Sequence, residues 1–226
     1  MRPSRGPQPL GVRAAVLVVA PRSCSLHLYS VRASGRVGAR AARALLLPDA
    51  RWPGVRAAVE ALLPRARGCE RVVVALRAAL RRAPWRRRLG DLARAGGAAL
   101  EALDGASEGR FLFLGALHEL PEAQDGFAAD VEPEAVTMAR FRGRVLAATR
   151  VLPGALSMGL VAALAGSGLV PTRMGEALLV GGSALDERAR RALLRWTGSA
   201  AATRCDDALA RGLGAAVLGA PAPETR

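Results

Sequence analysis

Leu179-Val180-Gly181-Gly182-Ser183-Ala184 is a strand that runs out into two glycines, and together with the segments downstream of it this stretch decides the fold. Glu176 to Val180 reads as the strand. Asp186 to Thr197 then carries Ala189, Ala192, Leu193 and Trp196 as one apolar stripe, with Arg188, Arg191 and Arg195 elsewhere, which predicts an amphipathic helix. Gly198 stops that helix. Ala200 to Arg204 reads as a short strand, and Asp206 or Asp207 caps a last helix from Ala208 to Leu218. Two glycines at a strand end let the backbone approach a flat ligand with no Cβ between. Free N–H groups at the start of the next helix suit a phosphate or a polar ligand edge. An ordinary strand-to-helix turn accounts equally well for the glycine pair alone.

Upstream, Pro133-Glu134 opens a predicted helix to about Leu152, with Met138, Phe141, Val145, Leu146 and Thr149 along one face. Leu156 to Ala165 reads as a second helix, closed by Gly166 and Gly168. Phe111-Leu112-Phe113-Leu114 is a continuous apolar run and reads as a short buried strand. Before it, Val12 to Val19 and Leu26 to Val31 form a predicted β-hairpin around Ala20-Pro21-Arg22-Ser23-Cys24-Ser25. Val55 to Leu63 and Leu89 to Leu103 read as helices. Val72 to Leu80 fits strand or helix, and Ser34 to Arg51 fits neither well. The expected organisation is a disordered lead-in over 1–10, a part with a hairpin and Arg-rich helices over 11–110, a ligand-binding part over 111–220, and a tail over 221–226. No internal repeat is visible.

The 226 residues contain no Lys, Asn or Ile, so all 33 basic residues are Arg and the net charge is +14. A basic chain suggests nucleic acid or an anionic surface as partner, but drift toward GC-rich codons also raises Arg and Ala. The densest run is Arg77, Arg81, Arg82, Arg86, Arg87 and Arg88 around Trp85, a residue able to stack on a base. A solvated helix face explains the same run, and is favoured over nucleic acid. Cys24, Cys69 and Cys205 are isolated, and His27 and His118 have no ligand spacing. Neither a zinc site nor a disulfide scaffold is expected. Ala14 to Ala20 imitates a signal-peptide core but reads better as a buried strand, and no segment reaches membrane-spanning length. A cytoplasmic chain with no metal cluster of its own is expected.

The segment Leu179 to Ala184, the helix ending Trp196-Thr197-Gly198, and Asp207 to Ala216 resemble the adenosine motif and closing helix of actin/Hsp70-type ATPases. Among these they look most like FGGY-type carbohydrate kinases, sedoheptulokinase-like members above all. Phe113 to Glu119 is similar in position to that family's Gly-Glu-Arg loop. The helix from Glu134 matches its long helix, and Val16 to Tyr29 looks like a worn second phosphate hairpin. The resemblance implies a ribonuclease-H-like α/β domain, a mixed sheet flanked by helices. It implies ATP with Mg at Gly181, Gly182, Ser183 and Ala184, and a sugar as phosphoryl acceptor. The family's Asp-x-Gly hairpin, sugar-binding domain and catalytic aspartate have no counterpart in this reading. The expected function is therefore the C-terminal part of a sugar kinase, incomplete alone and completed by a missing N-terminal domain. The alternative is a non-enzymatic, Arg-rich protein that binds nucleic acid or acidic partners.

Overall fold

In a computed structural model, residues 13–32, 37–155, 159–169 and 176–220 are described. The lead-in, the tail and the start of the helix expected at Leu156 lie outside them. β1 (Arg13–Val19) is buried at every position after Arg13 because both of its faces are covered. Ala15, Leu17 and Val19 join one core, and Val16 and Val18 the other. β2 (Ser23–Val31) and β3 (Val37–Leu46) continue antiparallel from it. After α1 (Trp52–Leu62), β4 (Arg71–Leu76) returns parallel to β1 on its other side. After α2 (Arg86–Ala95), β5 (Ala99–Ala102) adds a parallel edge, giving the order β3-β2-β1-β4-β5. α3 (Gly105–Glu119) comes next, with Asp104 accepting a 2.8 Å bond from Ser107 N.

The plan then repeats. β6 (Gly126–Val131) is buried throughout, and β7 (Ala135–Arg142) and β8 (Val145–Pro153) run antiparallel from it. α4 (Leu160–Ala165) leads to β9 (Ala177–Gly181), parallel to β6. α5 (Glu187–Thr197), β10 (Thr203–Arg204) and α6 (Ala208–Leu218) complete a second sheet ordered β10-β9-β6-β7-β8. The two sheets have the same connectivity, strand for strand, although the sequence betrays no repeat.

The helices sort into three layers. α1 and α2 cover the outside of the first sheet, through Val55, Val59, Leu62 and Leu89. α4 and α5 cover the outside of the second, through Leu160, Leu164 and Leu193. Between the sheets the last helices cross over. α3 puts Leu112 and Ala116 on Ala128, Phe141 and Leu179 of the second sheet, while α6 puts Leu209 and Leu213 on Val16, Val18 and Tyr29 of the first. Their backbones touch where glycines face each other. A Cβ on Gly115 would meet Ala208 O at 1.8 Å, and one on Gly212 would meet Phe111 O at 1.7 Å.

Two expected elements are of another kind. The helix proposed from Pro133 to Leu152 is the β7–β8 hairpin. Gly143 and Arg144, with φ of 53° and 61°, make the tight turn that suits such a hairpin. The strand proposed at Phe111 to Leu114 lies inside α3, because a short apolar run does not distinguish the two. The last part of the helix read to Leu103 is β5. The remaining elements from Ala177 onward fall where the sequence places them.

Candidate functional site

The carboxyl ends of the parallel strands of both sheets converge at one place, the position where open α/β sheets bind ligands. Arg77 stands immediately after β4, and its backbone N donates to Val19 O at the end of β1. Its side chain, 8% exposed, donates from Nε to Glu108 Oε1 at 2.6 Å and from Nη2 to Glu108 Oε2 at 3.2 Å. Nη1 donates to Asp130 Oδ2 at 2.6 Å and lies 3.9 Å from Glu132 Oε1. Glu108, in the first turn of α3, also accepts from Ala78 N at 2.8 Å and Thr137 Oγ1 at 3.0 Å. The first copy thus supplies Arg77 and Glu108, and the second supplies Asp130, Glu132 and Thr137.

One cation faces three carboxylates, so the balance is acidic. Burial would lower the pKa of Arg77, but Asp130, Glu108 and Glu132 outweigh it and raise the value, which keeps the guanidinium charged. Burial pushes the Glu132 carboxyl up and Asp130 pushes it further, against the opposing pull of Ser183 and Arg77. Glu132 therefore holds its proton to a higher pH than an exposed glutamate.

A cleft of about 240 Å³ opens on this cluster, walled by Pro21, Arg77, Gly105, Glu108, Glu132 and Glu134. It lies between the turns of two hairpins, Pro21-Arg22 of β1–β2 and Pro133-Glu134 of β6–β7. Arg22 Nε and Glu134 Oε1 approach across it to 3.5 Å. Glu134 Oε2 is buried with no hydrogen-bond partner. Proline in both turns removes an N–H donor. The positive end of α3, at Gly105, lies on the same wall.

The residues chosen from sequence stand beside this cluster. Gly181 ends β9, and Gly182 comes directly after it with φ 106°. Both are buried against the chain's own backbone: a Cβ would meet Cys205 O at 2.1 Å from Gly181 and Val131 O at 2.2 Å from Gly182. Ser183 N donates to Glu132 Oε1 at 3.2 Å, and Ser183 Oγ bonds Glu132 Oε2. Ala184 N donates to Val131 O at 3.0 Å. The turn is thus tied to the acidic end of β6. Among the described residues no three His, Cys, Asp or Glu side chains gather to hold a metal ion, and the nearest carboxylates are committed to Arg77 and Ser183. The Mg implied by the resemblance finds no ready ligand set among these residues.

Other expectations land differently. Val16 to Tyr29 opens the first sheet, and the corresponding hairpin of the second is β6–β7, so it is not a second hairpin of the chain. Phe113 to Glu119, likened to a Gly-Glu-Arg loop, lies within α3; His118 Nδ1 accepts from Val37 N, and Glu119 pairs with Arg211 at 2.8 Å. Asp207 sits at the start of α6 without a side-chain cap bond. It instead accepts from Tyr29 Oη at 3.0 Å and contacts Cys205 Sγ and Arg211. Arg77, Glu108, Asp130 and Glu134 are not legible as a site in the sequence because they come from separate parts of the chain: the end of β4, the first turn of α3, and β6 with its following turn. The available signal was charge at strand ends: Arg77 after an apolar run, and Asp130 closing one.

No protein-family profile matches the chain, and no curated protein matches it. Solved structures do. A Ppx/GppA enzyme of Aquifex aeolicus aligns over 76% of this chain and 68% of its own at 14% identity and TM-score 0.60. Component A of the (R)-2-hydroxyglutaryl-CoA dehydratase of Acidaminococcus fermentans aligns over 93% and 98% at 11% identity and TM-score 0.57. A ROK family glucokinase from Streptomyces griseus, solved with glucose and AMPPNP, aligns over 91% and 99% at 11% identity and TM-score 0.54. Against another Aquifex Ppx/GppA structure the chain spans 53% of that protein's length. The chain has the actin/Hsp70-type ATPase fold, ribonuclease-H-like with mixed sheets flanked by helices. Among the described residues no helix is long and apolar enough to cross a membrane.

Proposed function

We propose that this chain acts on phosphoryl compounds in the cleft between its two hairpin turns, and that the reaction is hydrolysis of a phosphoanhydride. The observation that carries the reading is the Arg77–Glu108–Asp130 network, drawn from both copies of the fold and facing a cleft at the strand ends. Structures of the same fold include a protein described as an exopolyphosphatase and a Ppx/GppA phosphatase, which supports the same class. Phosphoryl transfer is mostly positioning and charge stabilisation. Arg77 and the positive end of α3 orient the phosphoryl group. Glu108, with both oxygens bonded, positions Arg77. The Glu134 carboxylate, on the cleft wall, takes the proton from water, and Glu132, held toward its protonated form, gives one to the leaving oxygen.

The test is release of orthophosphate from inorganic polyphosphate and from ATP. Glu134→Gln is expected to lower the rate by about 10²-fold or more, the size of a general-base contribution, with the melting temperature unchanged. Absence of phosphate release from either substrate would remove the proposal.

A sugar-kinase reading stands second, favoured by the FGGY-like segment and by the glucokinase of the same fold. ATP would lie along Gly181, Gly182, Ser183 and Ala184 with a sugar in the cleft, and a further domain would supply what the chain lacks. ADP formation that requires a sugar, with no hydrolysis in its absence, would favour it over the hydrolase. Gly182→Val cannot serve as the test, because its Cβ strikes the Val131 backbone whether or not a ligand binds.

A further inference from the structure

The repeated topology separates codon drift from function in the arginine excess. Drift acts on one gene evenly, so it should load both copies alike. Residues 47–98, which lie between β3 and β5, hold twelve Arg against four Asp and Glu. The equivalent stretch of the second copy, residues 154–202, is of similar length and holds five Arg against three acids. Arg77 is buried between the sheets and Arg71 reaches α6, which leaves ten Arg against four acids, a net of +6, for the outer side of the first copy.

Pairing differs as well. Arg190 and Arg191 of α5 both reach Glu187 at 2.8 Å. On the first copy Arg65, Arg67, Arg82, Arg86, Arg87 and Arg88 are exposed and make no ion pair among the described residues. Arg86 to Arg88 form the first turn of α2, the end where the helix dipole disfavours cations. Uncompensated charge placed against that dipole calls for an external anion.

Two observations narrow the anion. Trp85 is 7% exposed, donates Nε1 to Ala50 O at 2.9 Å and packs near Trp52, so it cannot stack on a base. Protein partners are anchored by exposed aromatic or apolar side chains. The described large apolar residues that stand most exposed, Leu46, Val145 and Val161, all lie outside 47–98. The exposed side chains of this face include many planar guanidinium groups, which suit phosphate oxygens. α2 is about 15 Å long, enough to face several phosphates of one strand.

We infer that the outer face of the first copy docks the phosphate backbone of a nucleic acid without reading its bases. This docking is independent of the cleft chemistry. The test is fluorescence anisotropy of a labelled mixed-sequence oligonucleotide from 50 to 200 mM salt. Replacing Arg82, Arg86, Arg87 and Arg88 with Gln is compared with replacing Arg188, Arg190, Arg191 and Arg195 with Gln, the same loss of charge on the other copy. The first set is expected to reduce the slope of log K against log salt by roughly three, and the second to leave it unchanged. Circular dichroism melting checks that both sets stay folded. Equal loss from the two sets, no binding at 50 mM salt, or affinity for polyphosphate or an acidic peptide without affinity for the oligonucleotide would each overturn the inference.

Discussion

The two copies share a topology and differ where their strands end. After β4 the first copy places Arg77, a long side chain that reaches into the second copy; after β9 the second places Gly182, with none. Yet both positions press on the end of β6, Arg77 through its guanidinium on Asp130 and Gly182 through its backbone on Val131. The first copy contributes the cation, and the second contributes Asp130 and Glu132, which face it. A duplicated sheet can thus build one asymmetric site, because strand interiors preserve the fold while strand ends are free to diverge.

The sharpest way to break this comparison is Arg77→Met. It removes the cation shared by Glu108, Asp130 and Glu132, and leaving buried charges unpaired costs about 3–5 kcal/mol. A urea unfolding midpoint should fall accordingly; an unchanged midpoint would mean the two copies hold together without the network. Next comes the layer between the sheets. Gly212→Ala puts a Cβ 1.7 Å from Phe111 O and is expected to cost about 1–3 kcal/mol or more. Gly90→Ala in the outer helix α2 meets only Leu100 Cδ2 at 3.4 Å and should be neutral or stabilise by about 0.5–1 kcal/mol. Equal effects of the two in thermal melts would remove the distinction between layers.

The smallest effect is one of pH, and its sign differs between two acids. The raised value of Glu132 means the folded state prefers it protonated, so its contribution is favourable at low pH and is lost as pH rises from about 4.5 through the raised value. Asp207 is the reverse. Burial would raise it, but Arg211, Cys205 and Tyr29 bring it below the ordinary value, and its contribution holds above about pH 3.8 and fades as pH falls through the lowered one. Glu132→Gln should therefore gain on the native chain in neutral solution and lose that gain near pH 4. A gain that is flat with pH would contradict the burial of Glu132.

The sequence speaks clearly where one period dominates. From Asp186 to Leu218 the apolar stripe, the Gly198 stop and the small-residue helix are each set by neighbours in the chain, and the elements fall where they are expected. Between Pro133 and Leu152 two periods compete. Met138, Phe141 and Val145 satisfy a helical face, while Val136, Met138 and Thr137, Ala139, Phe141 alternate across β7. Only Gly143, in mid-segment, argues for a turn. The repeat is invisible because buried strands ask for apolar residues of any identity. The site was hidden for a related reason: Arg77, Glu108 and Asp130 meet only through the docking of two sheets, which no spacing along the chain encodes.

The exchange of closing helices has an outcome for biosynthesis. The first sheet is laid down early, but the helix that seals its inner side, α6, leaves the ribosome only after every strand of both sheets. Until then Val16, Val18 and Tyr29 lack Leu209 and Leu213 over them, and α3 lacks Ala128, Phe141 and Leu179 to pack on before β6 to β9 are made. Such a chain closes both interiors in one late event, so premature termination before α6 would release a nascent protein with an open apolar sheet, a substrate for chaperones and proteases.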